Sequence, residues 1–178
     1  MLFRRHKVEG MIGDKEEELL TRLAGEVEEG CIVEIGSYRG LSTIALAQGA
    51  RVPVYAIEPH EEFTGVLGGR FGPADRRAFF ENLLQARVVE RVRLVNLSSE
   101  VIAPGWRTPV GLLWIDGDHR YEAVRRDFYC WEPHLHGNVA FHDSIQPTLG
   151  PMRLIDELLA DGFELVEQVQ GTKVLRRP

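Results

Sequence analysis

The stretch Cys31-Ile-Val-Glu-Ile-Gly-Ser-Tyr-Arg-Gly-Leu-Ser-Thr43 constrains this chain more than any other. Its first five residues form an apolar run, broken only by Glu34, that is short enough for a buried parallel strand. Gly36 and Gly40 then let the backbone turn tightly and come close to a ligand. A helix starting near Leu41 would hold its free N–H groups over the carboxyl end of that strand, where an open α/β sheet binds its ligand. Later segments are expected to supply the walls of that crevice.

Two familiar phosphate-binding loops do not fit. Tyr38 stands where a dinucleotide fingerprint needs its second glycine, and no Gly-Lys-Ser/Thr follows as a Walker loop requires. The spacing Glu34-x-Gly36-x-x-x-Gly40 instead resembles motif I of the class I S-adenosylmethionine-dependent methyltransferases, whose loop wraps the amino-acid end of the cofactor.

A chain of 178 residues suits one domain with a full core. The expected division is an N-terminal arm over 1–12, a cofactor-binding core over 13–143, and a closing helix and hairpin over 144–178. A hydrophobic fraction of 44% and a charged fraction of 27% are those of a soluble globular protein. No apolar run approaches the roughly 20 residues needed to span a bilayer. Met1–Lys7 is basic but lacks the apolar segment of a secretory signal, so a cytoplasmic location and no membrane partner are expected. The formal net charge of -6 disfavours nucleic acid, and a small molecule is the expected partner. Cys31 and Cys130 lack metal or disulfide spacing and read as reduced core residues.

Asp14, with Glu17 three residues on, reads as the N-cap of a helix carrying Leu19, Leu20, Leu23, Ala24 and Val27 at helical spacing. Val8–Ile12 before it is either a lid over the ligand or a frayed end. Val52–Ile57 reads as the second strand and delivers Glu58 to its carboxyl end, close to the spacing of about 20 residues after the first acid at which a carboxylate accepts ribose hydroxyls. The glycine-rich 60–74 segment is expected to be a long loop near the cleft, and 75–86 a helix with Phe79, Phe80, Leu83 and Leu84 inward. After the third strand, Ser98 and Ser99 either bond the adenine or cap a short helix.

The chemistry concentrates at two further strand ends. Val110–Ile115 delivers Asp116-Gly-Asp-His-Arg-Tyr121, and Asn138–Phe141 delivers His142-Asp143. Adjacent strands lie about 4.8 Å apart, so Asp116 and the His142-Asp143 pair can meet at one point. Asp118 is either a proton acceptor or a helix cap. His119, which titrates near neutrality when unperturbed, is the other candidate acceptor. A last helix around Leu154–Leu159 and a hairpin over 163–175 would close the sheet.

From Cys31 to Asp143 the chain resembles S-adenosylmethionine-dependent O-methyltransferases. Gly117-Asp-His-x-Tyr121 with His142-Asp143 is most similar to the small bacterial methyltransferase family 24. The resemblance implies a Rossmann-like, doubly wound α/β fold whose mostly parallel seven-stranded sheet ends in an antiparallel C-terminal hairpin. It implies S-adenosylmethionine at Glu34, Gly36, Ser37, Tyr38, Gly40, Thr43, Glu58, Ser98 and Asp116. It implies a divalent metal, Mg or Mn, at Asp116, His142 and Asp143, although imidazole at 142 replaces an oxygen ligand of the relatives and suits Mn, Fe, Co or Zn better than Mg. Asp118 aligns with the base of sugar-methylating relatives and His119 with the lysine of catechol-type enzymes. With no inserted cap, the acceptor pocket must come from loops, the arm or a second subunit, and a homodimer is expected. The reaction implied is methyl transfer to a hydroxyl of a sugar or natural-product intermediate. Rival readings are an NAD-dependent oxidoreductase and a non-catalytic, regulatory cofactor-binding protein.

Overall fold

The computed structural model describes residues 8–178. The basic start at Met1–Lys7 lies outside the described residues. In chain order the elements are α1 (Asp14–Glu26), β1 (Cys31–Ile35), α2 (Leu41–Gly49), β2 (Val54–Ile57), β3 (Phe63–Thr64), β4 (Arg70–Phe71), α3 (Pro73–Ala86), β5 (Val92–Val95), α4 (Ser99–Ile102), β6 (Val110–Ile115), α5 (Tyr121–Trp131), β7 (Leu135–Phe141), α6 (Gly150–Ala160), β8 (Glu164–Val169) and β9 (Thr172–Arg176). Seven strands form one sheet in the order β5-β2-β1-β6-β7-β9-β8, and β3 pairs with β4 in a separate short ribbon. The first five sheet strands pair parallel, and β8 and β9 close the edge antiparallel. This is the Rossmann-like methyltransferase architecture that the resemblance implies.

Both faces of the sheet are buried because its strands are apolar on both sides. Ile32, Leu112, Trp114, Ala140 and Val174 face the core shared with α1, α2 and α3. Their neighbours Val33, Ile35, Leu113, Val139 and Phe141 face the other core, with Phe128 and Trp131 of α5 and Leu154 and Ile155 of α6. Among the described residues no helix is long and apolar enough to cross a membrane.

Register matters more to the site than the core does. Val95, Ile57, Ile35, Ile115 and Phe141 pair across five neighbouring strands, so those strands end at one level. The ladder runs one residue further: Gly36 N–H donates to Ile57 O, Glu58 N–H to Val95 O, Asp116 N–H to Ile35 O and His142 N–H to Ile115 O. Each residue carrying chemistry therefore leaves the sheet at the same rim.

Several expectations need correction. Gly13, not Asp14, caps α1, and Glu16 rather than Glu17 accepts the Gly13 N–H, at 3.0 Å. Strand β2 starts at Val54 rather than Val52, and β7 starts at Leu135, three residues before Asn138. Phe79 and Leu83 of α3 are buried, but Phe80 and Leu84 are 42% and 60% exposed. That helix covers the margin of the sheet, so one narrow stripe is enough. The 60–74 loop contains the β3–β4 ribbon, in which Phe63 and Phe71 stack at 5.0 Å. Tyr121 packs on α6, its hydroxyl donating to Glu157 and its ring lying under the Arg153 guanidinium. Both cysteines are free, Cys31 buried and Cys130 half-buried.

Helices α1 and α2 touch backbone to backbone at Gly49, where a Cβ would lie 1.9 Å from the Thr21 carbonyl oxygen. Gly49→Ala must separate the two helices and should cost about 1–3 kcal/mol of stability. Urea unfolding checks this: the midpoint should fall with an unchanged m-value, and an unshifted midpoint would mean that the two helices separate freely.

Candidate active site

At the rim where the five strands end lies a cleft of about 420 Å³, within the range of small-molecule sites. Gly36, Ser37 and Tyr38 form one wall, Glu58 the next, Ser98 and Ser99 a third, and Asp116 to His119 with Asp143 the far side. Its mouth is apolar, with exposed Met11, Phe63, Val66 and Leu67 around it. Gly10, Met11 and Ile12 also line the cleft. Arg39 ties the arm to α3, pairing with Glu9 on one side and with Asp75 at 2.8 Å on the other.

The loop after β1 turns through Gly36 at φ +85°, and a Cβ there would lie 2.3 Å from Asp116 O, so this loop and the one after β6 pack backbone to backbone. Tyr38, His60 and Asp143 also hold positive φ (45°, 52° and 48°) although none is glycine. Each follows a strand that ends at the rim, and strained backbone of this kind clusters at functional sites. Glu58 accepts the His60 N–H at 3.0 Å on one carboxylate oxygen and the Tyr38 N–H at 3.3 Å on the other. Each oxygen keeps a free lone pair, and Glu58 lines the cleft. His60 is buried, its Nε2 3.0 Å from Tyr38 O and its Nδ1 3.4 Å from the Asn96 side-chain nitrogen, so it props the loop from behind.

The structure does not bring all the expected cofactor residues to the cleft. Gly36, Ser37, Tyr38, Glu58, Ser98 and Asp116 line it, whereas Glu34, Gly40 and Thr43 do not. Glu34 is fully buried and points under α2, where it accepts the Ser42 hydroxyl at 2.5 Å and the Thr43 hydroxyl. Gly40 begins that helix in the left-handed region. These three shape the loop from beneath. Burial pushes the Glu34 carboxyl up to about 8, the two hydroxyls opposing the shift and the charges of Asp116 and Glu58 adding to it.

On the far side four side chains converge. Asp116 Oδ1 lies 2.9 Å from His142 Nδ1 and 3.4 Å from His119 Nε2. Asp143 Oδ2 lies 3.4 Å from His119 Nε2 and 3.8 Å from His142 Nδ1. Ligand atoms of Asp116, His119 and His142 all fall within 4.8 Å of one another. His119 Nε2 is buried and makes no hydrogen bond among the described residues, despite the two carboxylates beside it. Burial opposes a charge on His142, but Asp116, Glu16 and Asp143 together push its ring up to about 10. Burial would likewise raise Asp116, yet His142 and His119 hold it below the usual carboxylate value. Asp118 stands apart, accepting the Arg120 N–H at 3.1 Å and its guanidinium at 2.6 Å, while Arg120 also donates to Thr64 O and so ties the β3–β4 ribbon across the cleft.

A family model described as a methyltransferase domain matches residues 33–144. The chain belongs to methyltransferase family 24. The match covers β1 through the His142-Asp143 pair, and it makes this protein a methyltransferase of the S-adenosylmethionine-dependent class rather than a nicotinamide-dependent oxidoreductase. Solved structures share the fold of this family 24 chain. An O-methyltransferase from Bacillus cereus in complex with S-adenosylhomocysteine superposes with a TM-score of 0.71 at 18% identity, covering 94% of this chain and 83% of that one. TomG from Streptomyces achromogenes, involved in tomaymycin synthesis and solved with S-adenosylmethionine, gives 0.68 at 18% identity, covering 94% and 82%. The calicheamicin methyltransferase CalS11 gives 0.66 at 17% identity, covering 91% and 77%.

Sequence reasoning missed Glu16, His60, Arg120 and Asp127. Asp127 lines the cleft from α5, and burial pushes its carboxyl up to about 6. A signal existed for it, since an acid at position 127 interrupts the apolar stripe of Val124, Phe128 and Trp131. Glu16, His60 and Arg120 act through contacts distant in sequence and carry no such mark.

The Glu34 shift sets a pH dependence. A carboxyl raised from 4.5 in the unfolded chain to about 8 in the folded one stabilises the fold below 4.5, and this contribution is lost as pH rises through about 8. Glu34→Gln keeps an acceptor for one hydroxyl, offers an N–H donor to the other, and removes the charge. Thermal unfolding between pH 5 and pH 9 should show a melting temperature that falls less steeply with pH in the variant than in the wild type. Parallel curves would contradict the assignment.

Proposed function

We propose that this protein moves a methyl group from S-adenosylmethionine to a hydroxyl of a small molecule, a sugar or a natural-product intermediate. The observation that carries the reading is that Glu58 and the Asp116-to-His119 segment line one cleft, from the strands on either side of β1. The family supplies the donor class, and the roles of TomG and of the calicheamicin methyltransferase favour a natural-product acceptor.

In this reading the free lone pairs of Glu58 receive the ribose hydroxyls, Ser98 meets the adenine, and the Gly36–Tyr38 loop holds the amino-acid end. The buried Ser37 hydroxyl, which has no hydrogen-bond partner among the described residues, is a ready contact there. Residues 13–143 then form the cofactor core, with 144–178 closing the sheet behind it. A sulfonium is already a good leaving group, so the protein must mainly align donor and acceptor and accept one proton. The acceptor residue is drawn from Asp118 and His119, both on the cleft wall. The side chains also suit a divalent ion, because His119 Nε2 is buried without a hydrogen bond between two carboxylates and both N and O donors surround it. Asp116, His142 and Asp143 would hold the ion, which when bound lowers the pKa of an acceptor hydroxyl.

Isothermal titration with S-adenosylhomocysteine tests the cofactor assignment. Wild type should bind, and Glu58→Ala, losing two hydrogen bonds to a charged group, should bind about ten- to a hundredfold more weakly. Equal affinities would remove Glu58 from the site. For the proton acceptor, formation of S-adenosylhomocysteine from a panel of hydroxylated acceptors should fall about 10²–10⁴-fold in the Asp118→Asn, His119→Ala double variant, with cofactor binding retained. Undiminished turnover would put the acceptor residue elsewhere, and no turnover with any acceptor by a wild type that binds cofactor would favour the regulatory reading.

A further inference from the structure

Asp116, His119 and His142 offer ligand atoms all within 4.8 Å of one another, and Asp143 Oδ2 joins their edge, 3.4 Å from His119 Nε2 and 3.8 Å from His142 Nδ1. Four donors bound to a single ion at about 2.1 Å stand about 3.0–3.4 Å from one another, depending on whether the geometry is octahedral or tetrahedral. A network of hydrogen bonds and ion pairs without an ion accounts for the His142–Asp116 contact. It holds His119 less well: among the described residues its buried Nε2 stands 3.4 Å from a carboxylate oxygen of Asp116 and of Asp143 and makes no well-aligned hydrogen bond to either. Behind the cluster, His142 Nε2 points at Glu16 Oε1, 3.7 Å away, and that oxygen is fixed by the Thr172 hydroxyl at 2.7 Å. An outer carboxylate on the far nitrogen of an imidazole is the usual support of a metal-binding histidine, because it sets the tautomer and leaves the inner lone pair for the ion.

We infer that His119 is a metal ligand, completing a two-histidine, two-carboxylate site that takes a borderline transition-metal ion such as Zn, Co, Fe or Mn in preference to Mg, with Glu16 as the residue that positions His142. Two imidazoles are poor partners for Mg, which asks for oxygen donors in near-ideal octahedral geometry. Two carboxylates and two neutral imidazoles leave a divalent ion formally neutralised. This use of His119 leaves Asp118 as the proton acceptor. Asp118 lies outside the cluster, and its oxygens, though bonded to Arg120, retain lone pairs for an acceptor hydroxyl. The inference rests on the methyltransferase reading only in placing that hydroxyl beside the ion.

Protein stripped with a chelator and titrated with Co²⁺ provides the test, read by visible d–d absorption and by metal content after dialysis. Wild type should bind one Co²⁺ per chain, displaced by Zn²⁺ but not by a hundredfold excess of Mg²⁺. His119→Ala should weaken Co²⁺ binding at least tenfold, and Glu16→Gln about 10–100-fold. Asp118→Asn should bind as wild type does. Circular dichroism confirms that each variant is folded, and titration with S-adenosylhomocysteine is run beside it. Cofactor binding without Co²⁺ binding, unchanged Co²⁺ affinity in His119→Ala, or displacement by Mg²⁺ would each overturn the inference while sparing the methyltransferase reading. Co²⁺ binding without cofactor binding would do the reverse.

Discussion

Carboxylates gathered at one edge of a sheet repel one another through a medium that screens poorly, so each needs a partner of its own. The carboxylates here meet that condition in different ways. Glu34 takes two hydroxyls from α2 and a raised pKa. Glu58 takes two backbone N–H groups. Asp116 and Asp143 share His119 and His142, and Glu16 backs His142 from α1 while also capping that helix. These contacts tie α2 to β1 through Glu34, and α1 to the C-terminal hairpin through Glu16 and Thr172.

The strand register is what makes the charges meet. Because Ile35, Ile57, Ile115 and Phe141 end at one level, four loops rise from a single rim, and close backbone contact at Gly36 leaves no room to slide one against another. The hollow lies where the sheet turns outward in both directions from β1, the position at which open α/β sheets bind ligands. Over that hollow the chain lays two of its own segments. The arm is held through Arg39, and the β3–β4 ribbon through Arg120 and the stacking of Phe63 on Phe71.

Much of this was legible from residue order. A strand that ends in an acid, a glycine turn, and Asp or His at two later strand ends place Glu58, Asp116, His142 and Asp143 at the rim, because period and punctuation are local properties. Facing was not legible. In a strand buried on both sides, alternation cannot say whether Glu34 looks into the cleft or under a helix, and it looks under α2. Nor does helical spacing say how wide a stripe a helix must bury, which is why Phe80 and Leu84 stay exposed. Contacts such as Glu16 with Thr172 or Arg120 with Thr64 join segments far apart in sequence, and only the assembled sheet brings them together.

The central claim is that one cleft holds the adenosyl donor on the Glu58 side and the reacting groups on the Asp116 side. A crystal structure with S-adenosylhomocysteine tests it most directly. The account predicts ribose hydroxyls within hydrogen-bonding distance of both Glu58 carboxylate oxygens and the thioether sulfur toward the Asp116–His119 wall. Density for the ligand at any other surface, or a ribose out of reach of Glu58, would contradict it.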